Sequence, residues 1–119
     1  RMKLEVGMYC YNKTNRRLGI GKIVTEPDEH NNLLVKYKDI IENVSMGNIV
    51  ASFNIIDLIE EGDYVNGQVV TQIIPNNRKI DPSTMIYTGT NHVVGLYNED
   101  IENVRTKEQM EQISYKIGE

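Results

Sequence analysis

Short runs in which apolar and polar residues alternate, rich in β-branched side chains and cut every few positions by Asn, Gly, Asp or Pro, recur along the whole chain. A period of two sends successive side chains to opposite faces of an extended backbone, so the pattern suits many short antiparallel strands and excludes a mainly helical fold. The runs are Met8 to Asn12, Leu18 to Val24, Leu33 to Tyr37, Asn48 to Ala51, Tyr64-Val65, Gln68 to Ile74, Thr84 to Thr88 and His92 to Tyr97. A polar turn, Lys13-Thr14-Asn15-Arg16, makes the first two a hairpin. Thr25 to Asn32 and Pro75 to Ser83 read as loops. Asn66-Gly67 is the strongest local hairpin signal, because both residues tolerate the positive φ of a type I′ turn.

Helix is confined to two places. Thr106-Lys107-Glu108-Gln109 has the capping-box pattern and, with Met110 and Ile113 as an apolar stripe, predicts a short helix from about Lys107 to Ile113. Asn54 to Ile59 suits either a short helical turn capped by Asn54 or another strand. Two stretches repeat: Leu4-Glu5-Val6-Gly7-Met8-Tyr9 parallels Ile59-Glu60-Glu61-Gly62-Asp63-Tyr64, and Asp39 to Val44 parallels Asp100 to Val104. The expected fold is therefore all-β and mainly antiparallel, with two tandem SH3-like or meander small barrels and a short C-terminal helix. The units are residues 2–58 and 59–119. Units of about sixty residues bury little surface alone, so the two are expected to share one core or to dimerise.

With 119 residues, 39% hydrophobic and 25% charged, the chain has the balance of a folded domain rather than a disordered tail or a coiled coil. Phe53 is the single Phe and Trp is absent, so the core must come from Ile, Val, Leu and Met, leaving some of the seven Tyr for surfaces. A formal charge of −4 provides no general basic field, which argues against direct DNA binding and against an anionic membrane. Residues 1–60 carry eight basic and eight acidic side chains, and 61–119 carry five and nine, so an anion site is expected in the first half. Cys10 stands alone, which excludes an intrachain disulfide and a cysteine zinc site. No apolar run approaches the length of a membrane span and no signal-peptide pattern is present, so a cytoplasmic location is expected.

Convergent catalytic chemistry is not evident. His30 and His92 lie far apart, and the Ser-elbow, zinc-protease and P-loop patterns are missing. Gly19-Ile20-Gly21-Lys22 imitates a phosphate loop but lacks the following Ser or Thr, and reads as a strand with Gly at a bulge or close contact. Asp28-Glu29-His30 reads as a solvated loop. A non-enzyme without metal or cofactor is expected. The first hairpin gathers Lys13, Arg16 and Arg17, with Lys22 further along and Tyr9 and Tyr11 on the adjoining strand. Arg forks bind phosphate and Tyr rings stack on bases, so Tyr9, Tyr11, Lys13, Arg16, Arg17 and Arg105 form the candidate ligand site, with Arg78, Lys79 and Lys107 as possible additions. The competing reading is a solvated turn whose cations protect a sheet edge. Glu99, Asp100 and Glu102 form an acidic turn, the candidate surface for a protein partner.

Three segments carry a family resemblance: Met2 to Tyr9, Asn54 to Gly67, and the tail Val104 to Ile117, which contains Thr106-Lys107-Glu108-Gln109 and Tyr115-Lys116-Ile117. Together they resemble small uncharacterised proteins of phages and prophages in Gram-positive bacteria. The resemblance covers about a third of the chain and implies a phage accessory protein working in the host cytoplasm. By analogy with such proteins, the expected function is to counter bacterial immunity by sequestering a nucleotide signal. The alternatives are direct inhibition of a defence effector, such as a CRISPR nuclease, and a structural or regulatory phage role. A homo-oligomer is expected.

Overall fold

Residues 3–75 and 84–118 are described by a computed structural model. The first half contains β1 (Tyr9–Asn12), β2 (Gly21–Ile23), β3 (Asn32–Lys36), β4 (Ile41–Ser45) and β5 (Ile49–Ser52). The second contains β6 (Tyr64–Val65), β7 (Gln68–Ile74), β8 (Met85–Thr88), β9 (Val94–Leu96) and β10 (Val104–Arg105), followed by helix α1 (Lys107–Gly118). These strands form two antiparallel sheets of five, ordered β4-β3-β2-β1-β5 and β10-β6-β7-β8-β9. In both, the first strand lies between the second and the last, and a 3-10 turn precedes the last strand, Met46–Asn48 in one and Asn98–Asp100 in the other. A helical segment follows each last strand, the 3-10 turn Ile55–Leu58 and α1. One SH3-like topology is thus used twice, as the strand pattern predicted.

The repeat is sharpest at the entry to each unit. Gly7 (φ 93) and Gly62 (φ 94) occupy the left-handed region that glycine alone enters at little cost. Gly7 N donates to Ile23 O and Gly62 N to Val70 O, both at 2.9 Å, so the same turn feeds β1 and β6. The second proposed parallel does not survive. Asp39 to Val44 runs through the β3–β4 turn into β4, whereas Asp100 to Val104 runs from a 3-10 turn into β10, the counterpart of β5. A similar acidic composition on unequal elements produced the match.

Each unit has its own apolar cluster. Met8, Cys10, Ile23, Leu33, Val35 and Tyr37 are central to the first, while Ile56, Ile59, Val65, Val70 and Ile86 make the second. Ile56, which precedes the expected boundary at 58/59, packs into the second cluster. Gly21 marks a close approach within the first core. A Cβ there would lie 2.8 Å from Lys36 O and 2.9 Å from both the Tyr37 ring and a Val35 methyl.

Other differences from the expected elements have local causes. The run Leu18 to Val24 shrinks to three strand residues because Arg16–Leu18 is a 3-10 turn ended by Gly19 at φ 83. Asn54 sits at the N-cap of the 3-10 turn without a side-chain cap bond, and its own N–H donates to Ser52 Oγ instead. Helix α1 extends to Gly118, beyond the single amphipathic turn that set its expected end. Strand β4 was hidden by its exposed, non-alternating burial.

Candidate functional site

Arg16 is the hub of the contact between the two units. The 3-10 turn buries it to 9% exposure, although it was expected to face a ligand. Its Nη1 and Nη2 each reach an oxygen of Asp63 at 3.0 Å, a bidentate pair, while Nη1 also meets Glu108 at 3.1 Å and Nη2 meets Leu58 O at 3.2 Å. Its guanidinium carbon lies 4.6 Å from the centre of the Tyr11 ring. Burial works against the charged guanidinium, but hydrogen bonding and attraction to Asp63, with Glu60 and Glu108 behind it, outweigh that and hold Arg16 more firmly protonated. The phosphate role expected of Arg16 is therefore corrected to an internal clasp: its terminal donors already face carboxylates and a carbonyl.

Asp63, fully buried, completes the clasp from the other side. One carboxylate oxygen accepts from Glu60 N at 2.9 Å and the other from Lys107 N at 2.8 Å, so the charge sits at the start of α1 where free N–H groups and the helix dipole favour it. Thr106 Oγ donates to Arg16 O at 2.7 Å and accepts from Gln109 N at 3.1 Å, while Thr106 N donates to Gln109 Oε1 at 2.8 Å. The predicted capping box exists and also fastens the helix to the first unit. Nothing in the sequence marks Asp63 except its place after the repeated Gly, where the first unit has apolar Met8.

The remaining predicted ligand residues separate. Lys13 and Arg17 are exposed at the hairpin tip, around a hollow of about 270 Å³ whose wall includes Glu108. Tyr11 is half-buried against Arg16 and reaches Glu60 at 3.4 Å; burial, then Glu60, raises its hydroxyl pKa, and Arg16 partly opposes this. Arg105 is exposed on β10 opposite Tyr64. Arg78 and Lys79 lie outside the described residues. In the acidic turn, Asp100 is engaged, its carboxylate accepting from Tyr97 N at 2.9 Å, while Glu99 and Glu102 point to solvent. Asn66 pins that turn, accepting from Glu102 N and Asn103 N and donating to Asp100 O.

Tyr9 belongs to a different site. It borders a cleft of about 420 Å³, within the range of about 300–1,000 Å³ usual for small-molecule sites. The cleft lies between the outer face of the first sheet and residues Ile55 and Val104 on the far side. Ile20, Val24 and Tyr37 provide apolar surface, and Lys22, Lys36 and Lys38 provide charge. Among the described residues no acidic side chain lines it, unlike the hairpin hollow, which makes it the stronger candidate of the two for an anion. The Lys22 ammonium rests 4.9 Å from the centre of the Tyr9 ring. Among the described residues none of the three lysines forms an ion pair. Sequence reasoning noted Lys22 but missed Lys36 and Lys38, because they reach this place only through the pairing of β3 with β2.

Among the described residues, no group of three or more His, Cys, Asp or Glu side chains is gathered to hold a metal ion, and no helix is long and apolar enough to cross a membrane. A third hollow, of about 830 Å³ beside β5, is lined by Leu4, Asn31, Ser45 and Met46 among others and carries no charged group among the described residues. In comparisons with known proteins, no family model, no curated protein and no solved structure matches this chain.

Proposed function

We propose that the protein is a non-catalytic phage or prophage binder that counters bacterial immunity by sequestering a nucleotide signal in the host cytoplasm. The observation that carries the reading is the junction cleft, which sets a Tyr ring and apolar walls beside three lysines that have no acidic partner among the described residues. A base or similar flat ring suits the apolar part, and phosphate oxygens suit the ammonium groups. The resemblance read in three segments of the sequence is what suggests a phage setting, and the counter-defence role follows by analogy with phage accessory proteins of this size. Because Arg16 is taken up by the clasp, Lys22, Lys36 and Lys38 replace it as the phosphate-facing cations, with Tyr9 retained from the sequence reading.

Native mass spectrometry tests this directly. The purified protein is mixed with a small-molecule extract from infected cells whose defence is active. A discrete added mass, released intact on denaturation and lost in Lys22→Glu, is the expected result; the bare protein in every sample would count against a sequestered signal.

The second reading, a direct inhibitor of a defence effector, draws on the exposed pair Glu99 and Glu102, which a pinned backbone presents outward. On that reading, charge reversal of both residues abolishes complex formation with the effector. Unchanged inhibition would remove this turn from the interface.

A further inference from the structure

We infer that the junction cleft selects nucleotides carrying at least two phosphate groups, an inference that rests on the nucleotide reading above. Tyr9, Lys22 and Lys36 form one row across three neighbouring strands, since Tyr9 pairs with Lys22 and Lys22 pairs with Lys36 in register. Directly opposed side chains have Cβ atoms about 4.5–5.5 Å apart, and like charges in that position destabilise a sheet. Edge protection does not account for these lysines, because β2 and β3 are interior strands of the order β4-β3-β2-β1-β5. Nor does compensation, because neither forms an ion pair among the described residues.

An opposed lysine pair inside a sheet, in a chain of formal charge −4, is a local conflict of the kind expected where a ligand supplies the missing countercharge. One phosphate group would sit against one ammonium group. Lys22 and Lys36 side by side, with Lys38 on the same cleft, match two or more. The Lys22 ammonium now rests on the Tyr9 face, a contact weak enough at an exposed site for a phosphate to draw it away and free the ring for a base.

Calorimetric titration at low salt with adenosine, AMP, ADP, ATP, cyclic di-AMP and inorganic tripolyphosphate tests the inference on the whole protein. ADP and ATP are expected to bind at least about tenfold tighter than AMP, a difference of about 1.4 kcal/mol. Adenosine is expected to be weaker still. Lys36→Gln should reduce ATP affinity by a larger factor than AMP affinity, while the melting temperature of the free protein stays level or rises because the repulsion is gone. A lower melting temperature with unaltered ATP binding would show Lys36 to be structural and overturn the inference. Cyclic di-AMP binding tighter than ATP assigns the charges to separate phosphodiesters, and weaker binding assigns them to a contiguous phosphate chain. AMP binding as tightly as ATP would overturn the requirement for a second phosphate while leaving the nucleotide reading in place. Tripolyphosphate binding as tightly as ATP, or no nucleotide binding at all, would remove the nucleotide reading itself.

Discussion

Arg16 shows how one side chain's role turns on partners distant in sequence. At the hairpin tip it was indistinguishable from Arg17, yet a 3-10 turn directs it inward to Asp63, forty-seven positions along the chain. Truncating one member of a buried ion pair leaves the other charge without its partner, which costs about 3–5 kcal/mol. Arg16→Ala should therefore lower unfolding free energy by about that amount, whereas Arg17→Ala, at an exposed position, should change it by less than about 0.5 kcal/mol. Urea denaturation of both variants checks the contrast, and equal losses would contradict it. The Arg16→Ala/Asp63→Ala double variant should lose much less than the sum of the single losses, because the two act as a pair.

Two buried acids give a second test at the residue scale. Burial raises the Cys10 thiol from its ordinary 9.0 to about 12, and burial, followed by Cys10 and Glu42, raises Tyr37 from 10.0 to about 12. Both groups stay protonated in the folded chain at pH values where the unfolded chain has released the proton. Their stabilising contribution is thus complete below about pH 9 and falls as pH rises toward 12. The thermal midpoint should decline over that window, with a shallower slope in Cys10→Ala; equal slopes would remove Cys10 as a cause. The buried thiol should also react with alkylating reagents only as fast as the protein opens.

At the level of elements, legibility followed local information. Alternation located β1, β3, β5, β7 and β8 closely, and Asn66 (φ 51) with Gly67 (φ 82) adopts the expected positive-φ turn. Strand β4 was missed because Ile41, Glu42 and Asn43 are all exposed, leaving no apolar period to read. Strand β10, only two residues long, lies below the length at which a period exists. The capping box was legible, but its second task was not: Thr106 also bonds to the first unit through Arg16 O. Thr106→Ala should consequently cost more than the usual N-cap loss of about 1 kcal/mol, whereas Thr106→Ser should restore most of it. Circular dichroism melts of both variants measure this. A loss confined to α1, with the β-sheet transition unmoved, would show that the cap does not join the units.

For the whole molecule, the repeat in the sequence disclosed two units of one topology but not what happens between them. The clasp and the cleft share the same two stretches of chain. Ile20 and Lys22 follow the Arg16 turn directly, and Val104 stands two residues before Thr106. Fixing the units through Arg16, Asp63 and Thr106 therefore also sets the cleft that faces Tyr9 and the lysines. Positions meeting only through tertiary pairing, such as Lys22 with Lys36, carry no mark along the chain, which is why the sequence pointed to the hairpin tip instead. The most direct measurement is a map of backbone amide shifts in the folded protein as ATP is added. The account predicts changes concentrated at Lys22, Lys36 to Lys38, Ile55 and Val104, and changes centred on Lys13 to Arg17 would contradict it.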